Sequence, residues 1–239
     1  MPRSEQGAAL SRTEQKRLVG SLVDALQDRI GEGEIGVGSW IRQDRIAEEY
    51  GVSRTPVREA LRQLEALGVV EIIANRGARV KLPSMRDIAQ AFEVRGVLEG
   101  HAAWLAARNI GQSQLDLLKE TGAWFEDVIG WAARGTEEAM AKARADWFRA
   151  NGTFHATVIA ASGNHQLELA IDQLHRRLPR GLTWTALGGD PRLLKENAED
   201  HARIRRAIED QDGELARQLT IGHSDRAREL ILMRSGELS

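Results

Sequence analysis

Hydrophobic positions recur at helical spacing on both sides of a tight turn near residue 51. Upstream, the segment 43–50 (QDRIAEEY) carries its apolar residues on one side of a short helix. Downstream, Val57, Leu61 and Leu64 fall at i, i+4 and i+7, which gives a second helix one apolar face. Gly51 supplies the backbone freedom that the turn requires. The pattern predicts two short helices joined by a tight turn.

The start of the second helix carries a distinct polar pattern. Thr55 precedes Pro56, which disfavours the helical region for Thr55 and predicts it as the N-cap, with Pro56 as the first helical residue. Arg54, Arg58 and Arg62 step by four along a face other than the apolar one. A short helix with one apolar side, one arginine side and a sharp start is typical of the recognition helix of a helix-turn-helix.

Two β-rich runs follow this helix. Residues 69–73 and 78–82 read as strands, and Asn75-Arg76-Gly77 lies between them as a hairpin loop. We interpret this hairpin as a wing with Arg76 at its tip. From residue 53 to 82 there are six basic and three acidic residues, a local excess of positive charge in a chain whose net charge is −2. Such a basic patch is typical of a surface that neutralises DNA phosphates.

The rest of the chain shows helical spacing without a strong strand signal after residue 83. A first helix is predicted over 15–31, ahead of the two short helices around the turn, and six more follow the hairpin at 84–108, 113–134, 136–162, 165–179, 191–211 and 212–234. The fold is therefore predicted to be mainly α. We expect a winged helix-turn-helix with a small β-hairpin over 11–82 and an all-helical bundle over 84–235.

Composition narrows the functional class only a little. The 239 residues are 42% hydrophobic and 28% charged, which is typical of a soluble protein. Because there is no cysteine, disulfides and thiolate metal sites are excluded. No apolar run reaches membrane-spanning length and no signal peptide is recognisable, so we expect a cytoplasmic protein without a membrane partner.

Three predicted helices carry a histidine on the apolar face. Asn151 and His155 lie one turn apart on one helix, and His201 and His223 each interrupt an apolar stripe on another. Because a buried imidazole without a partner is costly, three converging in one bundle would be satisfied together by a cation, and zinc or another late first-row ion suits them. The alternative is that each histidine donates to a nearby carbonyl and never meets the others.

Arg95 is a second misfit, since it shares the stripe of buried apolar residues on its helix. An inward guanidinium requires a carboxylate, either from Glu99 one turn later or from a bound ligand. We expect His101, His165 and His175 to be surface or capping residues, because they fall near helix ends or in polar surroundings.

With these residues in view, the chain resembles a GntR-family transcriptional regulator of the FadR subgroup. The segment GVSRTPVREAL (51–61) is a close match to the DNA-binding signature of that family. The second half resembles its helical ligand-binding domain, called FCD. The matching pieces are EVRGVLEGHAA (93–103), NGTFHATVIAASGN (151–164), DHARIRRAIEDQDGELA (200–216) and His223.

The resemblance implies a homodimer that binds a palindromic operator and usually represses transcription. It also implies a small effector, most often an organic acid, that changes the affinity for DNA, and we assign Arg95 as an effector-binding residue. The residues expected to bind DNA are Arg45, Ser53, Arg54, Thr55, Pro56, Arg58, Arg62, Arg76 and Gly77. Asp44 departs from the relatives that present an arginine to DNA at this position.

In that family the helical domain often holds a metal through three histidines and an aspartate, which here correspond to His155, His201, His223 and Asn151. The expected metal is zinc, with nickel or manganese as alternatives. Because Asn151 offers a neutral oxygen in place of a carboxylate, we expect the metal to bind less tightly or to be absent.

Two other functions remain open on the sequence. The helical half could serve only for dimerisation, with every histidine satisfied internally. The three histidines could also form a metal-dependent hydrolase or lyase. The enzyme hypothesis is weaker because no His-Glu-x-x-His arrangement is present and because the nearby carboxylates Glu199 and Asp200 show no evident inward bias. We therefore expect a protein that is not an enzyme.

Overall fold

A computed structural model describes residues 11–31, 34–36, 38–74, 76–81, 84–176, 178 and 181–236. The chain divides into two compact units, with the boundary between residues 83 and 84. Each unit has its own core. Within the described ranges, none of the helices is long and apolar enough to cross a membrane.

In its described residues, the N-terminal unit combines three helices with a small sheet. Its described elements are α1 (Arg12–Gly31), β1 (Trp40–Ile41), α2 (Gln43–Glu49), α3 (Arg54–Ala66), β2 (Val70–Ile73) and β3 (Gly77–Val80). The sheet is antiparallel with strand order β1-β3-β2. The strands β2 and β3 form the predicted hairpin, whose loop residue Asn75 lies outside the described residues.

The first strand was not predicted. In β1, Trp40 pairs with Arg79 and Ile41 pairs with Ala78 of β3. Two residues are too few to show the alternation that identifies a strand in sequence. Gly77 makes this close pairing possible, because its φ is +105° and a Cβ there would lie 2.7 Å from the carbonyl oxygen of Ile41.

The start of α3 differs from the prediction by two residues. Ser53, not Thr55, is the N-cap, and the helix begins at Arg54. Pro56 is therefore the third helical residue rather than the first. The first four N–H groups of any helix lack an intrahelical partner, so proline fits throughout the first turn and does not fix the helix start to one position.

The inner face of α3 forms the centre of the N-terminal core. Val57, Leu61 and Leu64 are fully buried, and Leu22 and Leu26 of α1 belong to the same cluster. The predicted apolar face of this helix is therefore confirmed. Its burial orients the remaining faces of α3 outward.

The C-terminal unit is all-helical in the part of the chain described. Its elements are α4 (Met85–Asn109), α5 (Gln112–Ala132), α6 (Glu137–Ala161), α7 (His165–His175), α8 (Leu182–Leu187), α9 (Pro191–Glu209) and α10 (Gly213–Gly236). Six of these correspond to the six predicted helices. The six-residue helix α8 was missed; it ends at Gly188, which adopts the left-handed conformation.

Side chains cap the starts of two helices in this unit. Ser84 caps α4, with its hydroxyl accepting from the Asp87 N–H while the Asp87 carboxylate accepts from the Ser84 N–H, both at 3.1 Å. Asp190 caps α9, accepts from the Arg192 N–H at 2.8 Å and precedes Pro191 at the first helical position.

Close packing of α10 on α4 positions one of the histidine-bearing segments. A Cβ on Gly100 would lie only 2.9 Å from Cγ1 of Ile221, so glycine permits the approach of the two helices. The Ser224 hydroxyl donates to the carbonyl of Phe92 at 3.0 Å across the same contact. As a result, the turn of α10 that carries His223 lies beside α4.

Candidate functional site

The N-terminal unit presents an arginine face on α3. Arg54, Arg58 and Arg62 are exposed, whereas Val57 and Leu61 between them are buried. The step of four residues places the three cations along one side of the helix. Each guanidinium carries five N–H donors, so this face can donate many hydrogen bonds to an external ligand.

The residues at the start of α3 divide into two kinds. Ser53 and Thr55 are exposed, as a role in DNA contact requires. Pro56, which the sequence placed in the DNA-binding set, is instead buried. Its ring belongs to the inner side of the first helical turn, so it shapes the helix start and offers no surface to a ligand.

The wing contributes fewer free cations than its sequence suggests. Arg76 at the tip is exposed, and Gly77 next to it is half-buried. The Nε of Arg79 donates to the carbonyl oxygen of Gly38 at 3.2 Å, and its cross-strand neighbour is Glu71. Arg79 therefore serves the sheet, while Arg76 extends the basic surface.

An acidic residue faces the first arginine of α3. Asp44 of α2 forms an ion pair with Arg54, with 2.6 Å between Oδ1 and Nε. Both side chains remain largely exposed, at 67% and 73%. Arg45 and Arg42 are also exposed at the start of the same helix. The position where some relatives were expected to carry an arginine thus holds a carboxylate that is paired with an arginine of α3.

In the C-terminal unit the structure brings the three predicted histidines together. His155 of α6, His201 of α9 and His223 of α10 are all buried, and their ring centroids lie 4.5–5.5 Å apart. One nitrogen from each ring falls within 4.8 Å of the others. Residues far apart in the chain therefore meet as one cluster of nitrogen donors.

In two of the rings, those of His155 and His201, the Nδ1 atom lies close to an oxygen acceptor. His201 Nδ1 lies 2.7 Å from the carbonyl oxygen of Asn197 and must donate to it, because a carbonyl only accepts. His155 Nδ1 lies 3.1 Å from the Glu99 carboxylate. In the described part of the chain, Nε2 of His155 and Nε2 of His201 are buried and have no hydrogen-bond partner. From the sequence, local hydrogen bonds of each histidine and a meeting of the three rings were alternatives. In the structure both occur, because His155 and His201 each contact an oxygen through Nδ1 and still lie beside the other rings.

The environment keeps two of these imidazoles neutral. Burial lowers the pKa of His155 to about 4, against the opposing influence of the Glu99 carboxylate. Burial also holds the pKa of His201 well below its usual range, and the nearby His223 and His155 reinforce the shift. A neutral imidazole whose Nδ1 donates has its Nε2 lone pair available, which is the state required of a metal ligand.

The buried carboxylate of Glu99 contacts His155 of the cluster and two further side chains. Its carboxylate lies 2.7 Å from Arg95 Nε and 2.6 Å from His175 Nε2, in addition to the contact with His155. Burial alone would raise the pKa of Glu99, but the charge of Arg95 and the contact with His155 hold it well below its usual range. Arg95 thus forms the internal ion pair that the sequence left as an alternative to a ligand.

The prediction for His175 was wrong. It was expected to be a surface or capping residue, yet it contacts the buried Glu99 from the last turn of α7, with 36% of its side chain exposed. His101 and His165 are exposed, as expected. Nothing in the local pattern identifies a long-range contact of this kind, because residues 99 and 175 belong to different helices.

The prediction for Asp200 was also wrong. It was expected to lack an inward bias, but it is buried, whereas Glu199 is exposed. Its Oδ2 accepts from Arg226 Nε at 2.7 Å and lies 3.5 Å from His223 Nδ1, and Arg203 pairs with its other oxygen at 2.8 Å. Burial alone would raise the pKa of Asp200, but the hydrogen bonds from His223 and Arg226 lower it.

The donor set fits a divalent cation. Each histidine has an oxygen acceptor near Nδ1, and the orphaned Nε2 atoms of His155 and His201 are atoms that a cation would satisfy. Asn151 stands one turn before His155 on α6 and is half-buried. A small cavity adjoins the cluster and is lined by Glu99, Phe154, His155, Val158, Ile159, Ile204 and Thr220. Zinc and other late first-row ions accept three such nitrogens.

Two domain families match the chain. The family described as bacterial regulatory proteins, gntR family, matches residues 9–80. The FCD domain family matches residues 90–226. The first match contains the arginine face and the wing, and the second contains all three histidines of the cluster.

Curated relatives cover most of the chain. A protein of Paenarthrobacter nicotinovorans described as a "probable D-xylose utilization operon transcriptional repressor" is 32% identical over 200 residues, or 84% of this chain and 82% of that protein. The Exu regulon transcriptional regulator of Escherichia coli K12 is 29% identical over 218 residues, covering 86% and 81% of the two chains.

Solved structures share the fold. E. coli McbR/YncC superimposes with a TM-score of 0.73 at 22% identity, covering 91% of this chain and 98% of that chain. A structural-genomics GntR protein from Rhodococcus sp. RHA1 gives a TM-score of 0.65 at 22% identity, covering 92% and 98%. At these identities the likeness concerns the architecture alone.

Proposed function

Because this chain belongs to the GntR family of bacterial regulatory proteins and carries an FCD domain, we propose that it is a repressor whose affinity for operator DNA is set by a small organic acid. That it is a DNA-binding transcriptional regulator follows from the family. The proposal adds the direction of regulation, the residues that bind DNA, and the class of effector. The main observation in support of the proposal is the exposed arginine face of α3.

The arginine face supports DNA reading by chemistry and by shape. An α-helix fits the major groove, and an arginine there can bond in bidentate fashion to guanine O6 and N7. Arg54, Thr55 and Arg58 lie in the first two turns of α3, where recognition helices contact base edges. Arg62, Arg45, Ser53 and the wing tip with Arg76 and Gly77 would then contact the phosphate backbone.

We propose that two copies act together on one palindromic site. A single short helix reads only a few base pairs, so specific winged helix-turn-helix regulators gain sequence information by pairing two reading heads. Half-sites are then separated by about one helical turn, roughly 34–36 Å. A two-fold symmetric footprint of full-length protein on its operator is the expected outcome.

The histidine cluster supports a sensing role for the C-terminal unit. We propose that His155, His201 and His223 hold a divalent metal, with zinc favoured and nickel or manganese as alternatives. When bound, such an ion supplies a Lewis-acid centre to which an effector carboxylate can attach. Asn151 offers only a neutral amide oxygen, so the affinity for metal should be lower than with a carboxylate at that position.

Arg95 would act as the second attachment point for the effector. Its Nε is bound to Glu99, while 15% of its side chain remains exposed. A ligand carboxylate could bind the remaining guanidinium nitrogens, or could replace Glu99 as the partner. Regulation then requires that the effector bind one arrangement of the two reading heads more tightly than another.

Metal analysis tests the proposed centre. Metal-stripped full-length protein is incubated with Zn²⁺, Ni²⁺ or Mn²⁺, passed through a gel-filtration column and analysed by mass spectrometry for metal content. We expect about one ion per chain, lost in His201→Ala and retained in the matched control His101→Ala, whose histidine is exposed. Wild-type protein that retains no ion would mean that the effector binds without metal or that the unit serves only for dimerisation.

Effector titration tests the class of ligand. Operator affinity is measured at fixed salt with lactate, citrate or glucuronate, and with xylose as a neutral sugar suggested by the name of one relative. We expect at least one acid to shift the affinity by about 5- to 150-fold, the usual range of coupling between two sites. Arg95→Gln should reduce that shift. A response to xylose alone would contradict the organic-acid proposal.

A further inference from the structure

The ion pair between Asp44 and Arg54 joins the two helices of the helix-turn-helix on its exposed side. Oδ1 of Asp44 lies 2.6 Å from Nε of Arg54. Asp44 is the second residue of α2, and Arg54 is the first residue of α3. The pair therefore ties the N-terminal turn of the recognition helix to the helix before it.

Stability of the fold does not explain this pair. Both side chains are more than 60% exposed, and ion pairs at such positions contribute little to folding because solvent screens them. Arg54 also stands at the positive end of the α3 dipole, where a cation is disfavoured. A neighbouring carboxylate is what holds the guanidinium there in a defined direction.

The ion pair uses only one nitrogen of the Arg54 guanidinium, Nε, and this determines which of its donors remain for DNA. Asp44 engages the Nε side of the guanidinium, and the two terminal nitrogens form a separate edge of the rigid fork. In the described part of the chain, no hydrogen bond occupies Nη1 or Nη2 of Arg54. That terminal edge matches the spacing of guanine O6 and N7.

We propose that Asp44 is a specificity-determining residue that orients Arg54 toward a guanine edge and away from the phosphate backbone. This inference rests on the proposed DNA-binding role of α3. Asp44 restricts Arg54 to the end-on geometry that reads a base. It also cancels one positive charge near the backbone, which weakens binding to DNA of any sequence.

The test compares two substitutions that remove the same charge from the same helix. Asp44→Asn keeps the size of the side chain but removes the anion that holds Arg54. Glu48→Gln is the matched control, because Glu48 is exposed on α2 and, in the described part of the chain, forms no ion pair with Arg54. Full-length proteins are titrated at fixed salt with a duplex selected by the wild-type protein from a random library, and with a shuffled duplex.

We expect Asp44→Asn to lower the ratio of specific to non-specific affinity by about tenfold, since one base contact loses its orientation while non-specific binding rises. Glu48→Gln should raise both affinities together and leave the ratio unchanged. Replacing each guanine of the half-site in turn with 7-deazaguanine, which lacks the N7 acceptor, should identify one guanine whose replacement weakens wild type and affects Asp44→Asn much less.

A double variant separates orientation from charge. In the Arg54→Ala background, Asp44→Asn should leave the specificity ratio unchanged, because the side chain to be oriented is gone. Equal ratios for Asp44→Asn and Glu48→Gln in the wild-type background would overturn the inference. If the wild-type protein selects no duplex from the library, the proposed function fails instead, so the two failures are distinguishable.

Discussion

Arg58 lies one turn after Arg54 on α3, with its side chain exposed and the adjacent Val57 buried. Recognition helices contact base edges with residues near their N-terminus, and Arg58 lies in the second turn of α3. Arg58→Ala should weaken binding to the selected operator by about 1–3 kcal/mol, the value of one bidentate base contact. Arg17→Ala, which removes an exposed arginine of α1, is the matched control.

Gel-shift titration at constant salt measures both variants. If Arg58 reads a base, its removal should reduce binding to the operator far more than binding to a shuffled duplex. An operator affinity equal to that of the wild type would remove Arg58 from the reading surface. Equal losses on both duplexes would reassign it to the phosphate backbone.

The buried imidazole of His155 predicts how the stability of metal-free protein depends on pH. Its folded-state pKa is about 4, below the ordinary value of 6.5. Between these two pH values the unfolded chain binds a proton that the folded chain does not. The free energy of unfolding should therefore fall as the pH drops from 6.5 to 4, by up to about 3 kcal/mol from this group. Above pH 6.5 the contribution is constant.

Urea unfolding of metal-free protein at several pH values provides the measurement. His155→Gln cannot titrate at this position, so its stability should change less across the same interval. The lowered pKa of His201 also reduces the free energy of unfolding on acidification, and this contribution should remain in the His155→Gln variant. A wild-type stability that is flat or increases on acidification from 6.5 to 4 would be inconsistent with buried, neutral imidazoles.

At the residue scale, the sequence predicted the members of the histidine cluster but not their supports. His155, His201 and His223 interrupt apolar stripes, and that pattern is local. Asp200 could also have been found, because it lies three residues from buried Asn197 and four from buried Ile204. The contact of His175 with Glu99 had no local signal, since it depends on how α7 packs against α4.

At the element scale, the wing depends on one backbone position. Gly77 has φ +105°, and any Cβ there would lie 2.7 Å from the carbonyl oxygen of Ile41. Gly77→Ala should destabilise the N-terminal unit by about 1–3 kcal/mol, because both the strained φ and the contact with β1 oppose a side chain. The effect should appear as a lower unfolding temperature by calorimetry.

Gly20→Ala is the matched control for that substitution. Gly20 lies within α1, and nothing approaches within 4 Å of a Cβ built there. Alanine should therefore stabilise the helix by up to about 1 kcal/mol through its better helix propensity. Should Gly77→Ala prove as harmless as Gly20→Ala, the close pairing of β1 with the hairpin would be refuted.

Elements with long periodic patterns were predictable, and short ones were not. The six long helices of the C-terminal unit show their apolar stripes over about three or more turns, so their existence follows from sequence, apart from differences at the ends. The strand β1 and the helix α8 have two and six residues. Neither is long enough to establish a period, and both are defined by what they pack against.

The start of α3 shows a different limit. Proline restricts the helix start to a turn rather than to a residue, so Thr55 and Ser53 were both compatible with Pro56. The chain begins the helix at Arg54, and this brings Arg54 into the first helical position opposite Asp44. The sequence therefore predicted the presence of a helix at this motif correctly, but it placed the first helical residue two positions too late.

At the scale of the whole molecule, the two candidate sites lie in different units of the chain. Residues before position 84 carry the arginine face and the wing, and residues after it carry the buried histidines. The chemistry differs accordingly. Exposed, permanently charged guanidinium groups suit a polyanion, whereas a cluster of buried imidazole nitrogens suits a cation or a small ligand. The proposed function accordingly assigns DNA binding to the first unit and effector binding to the second.

The most direct test of this account is the ratio of two equilibrium constants. Full-length protein is titrated, at one salt concentration, with the duplex that it selects from a random library and with a shuffled duplex of the same length and base composition. The arginine face of α3 predicts binding to the selected duplex that is at least about 1,000-fold tighter. Affinities within tenfold of each other would contradict sequence-specific reading by this surface.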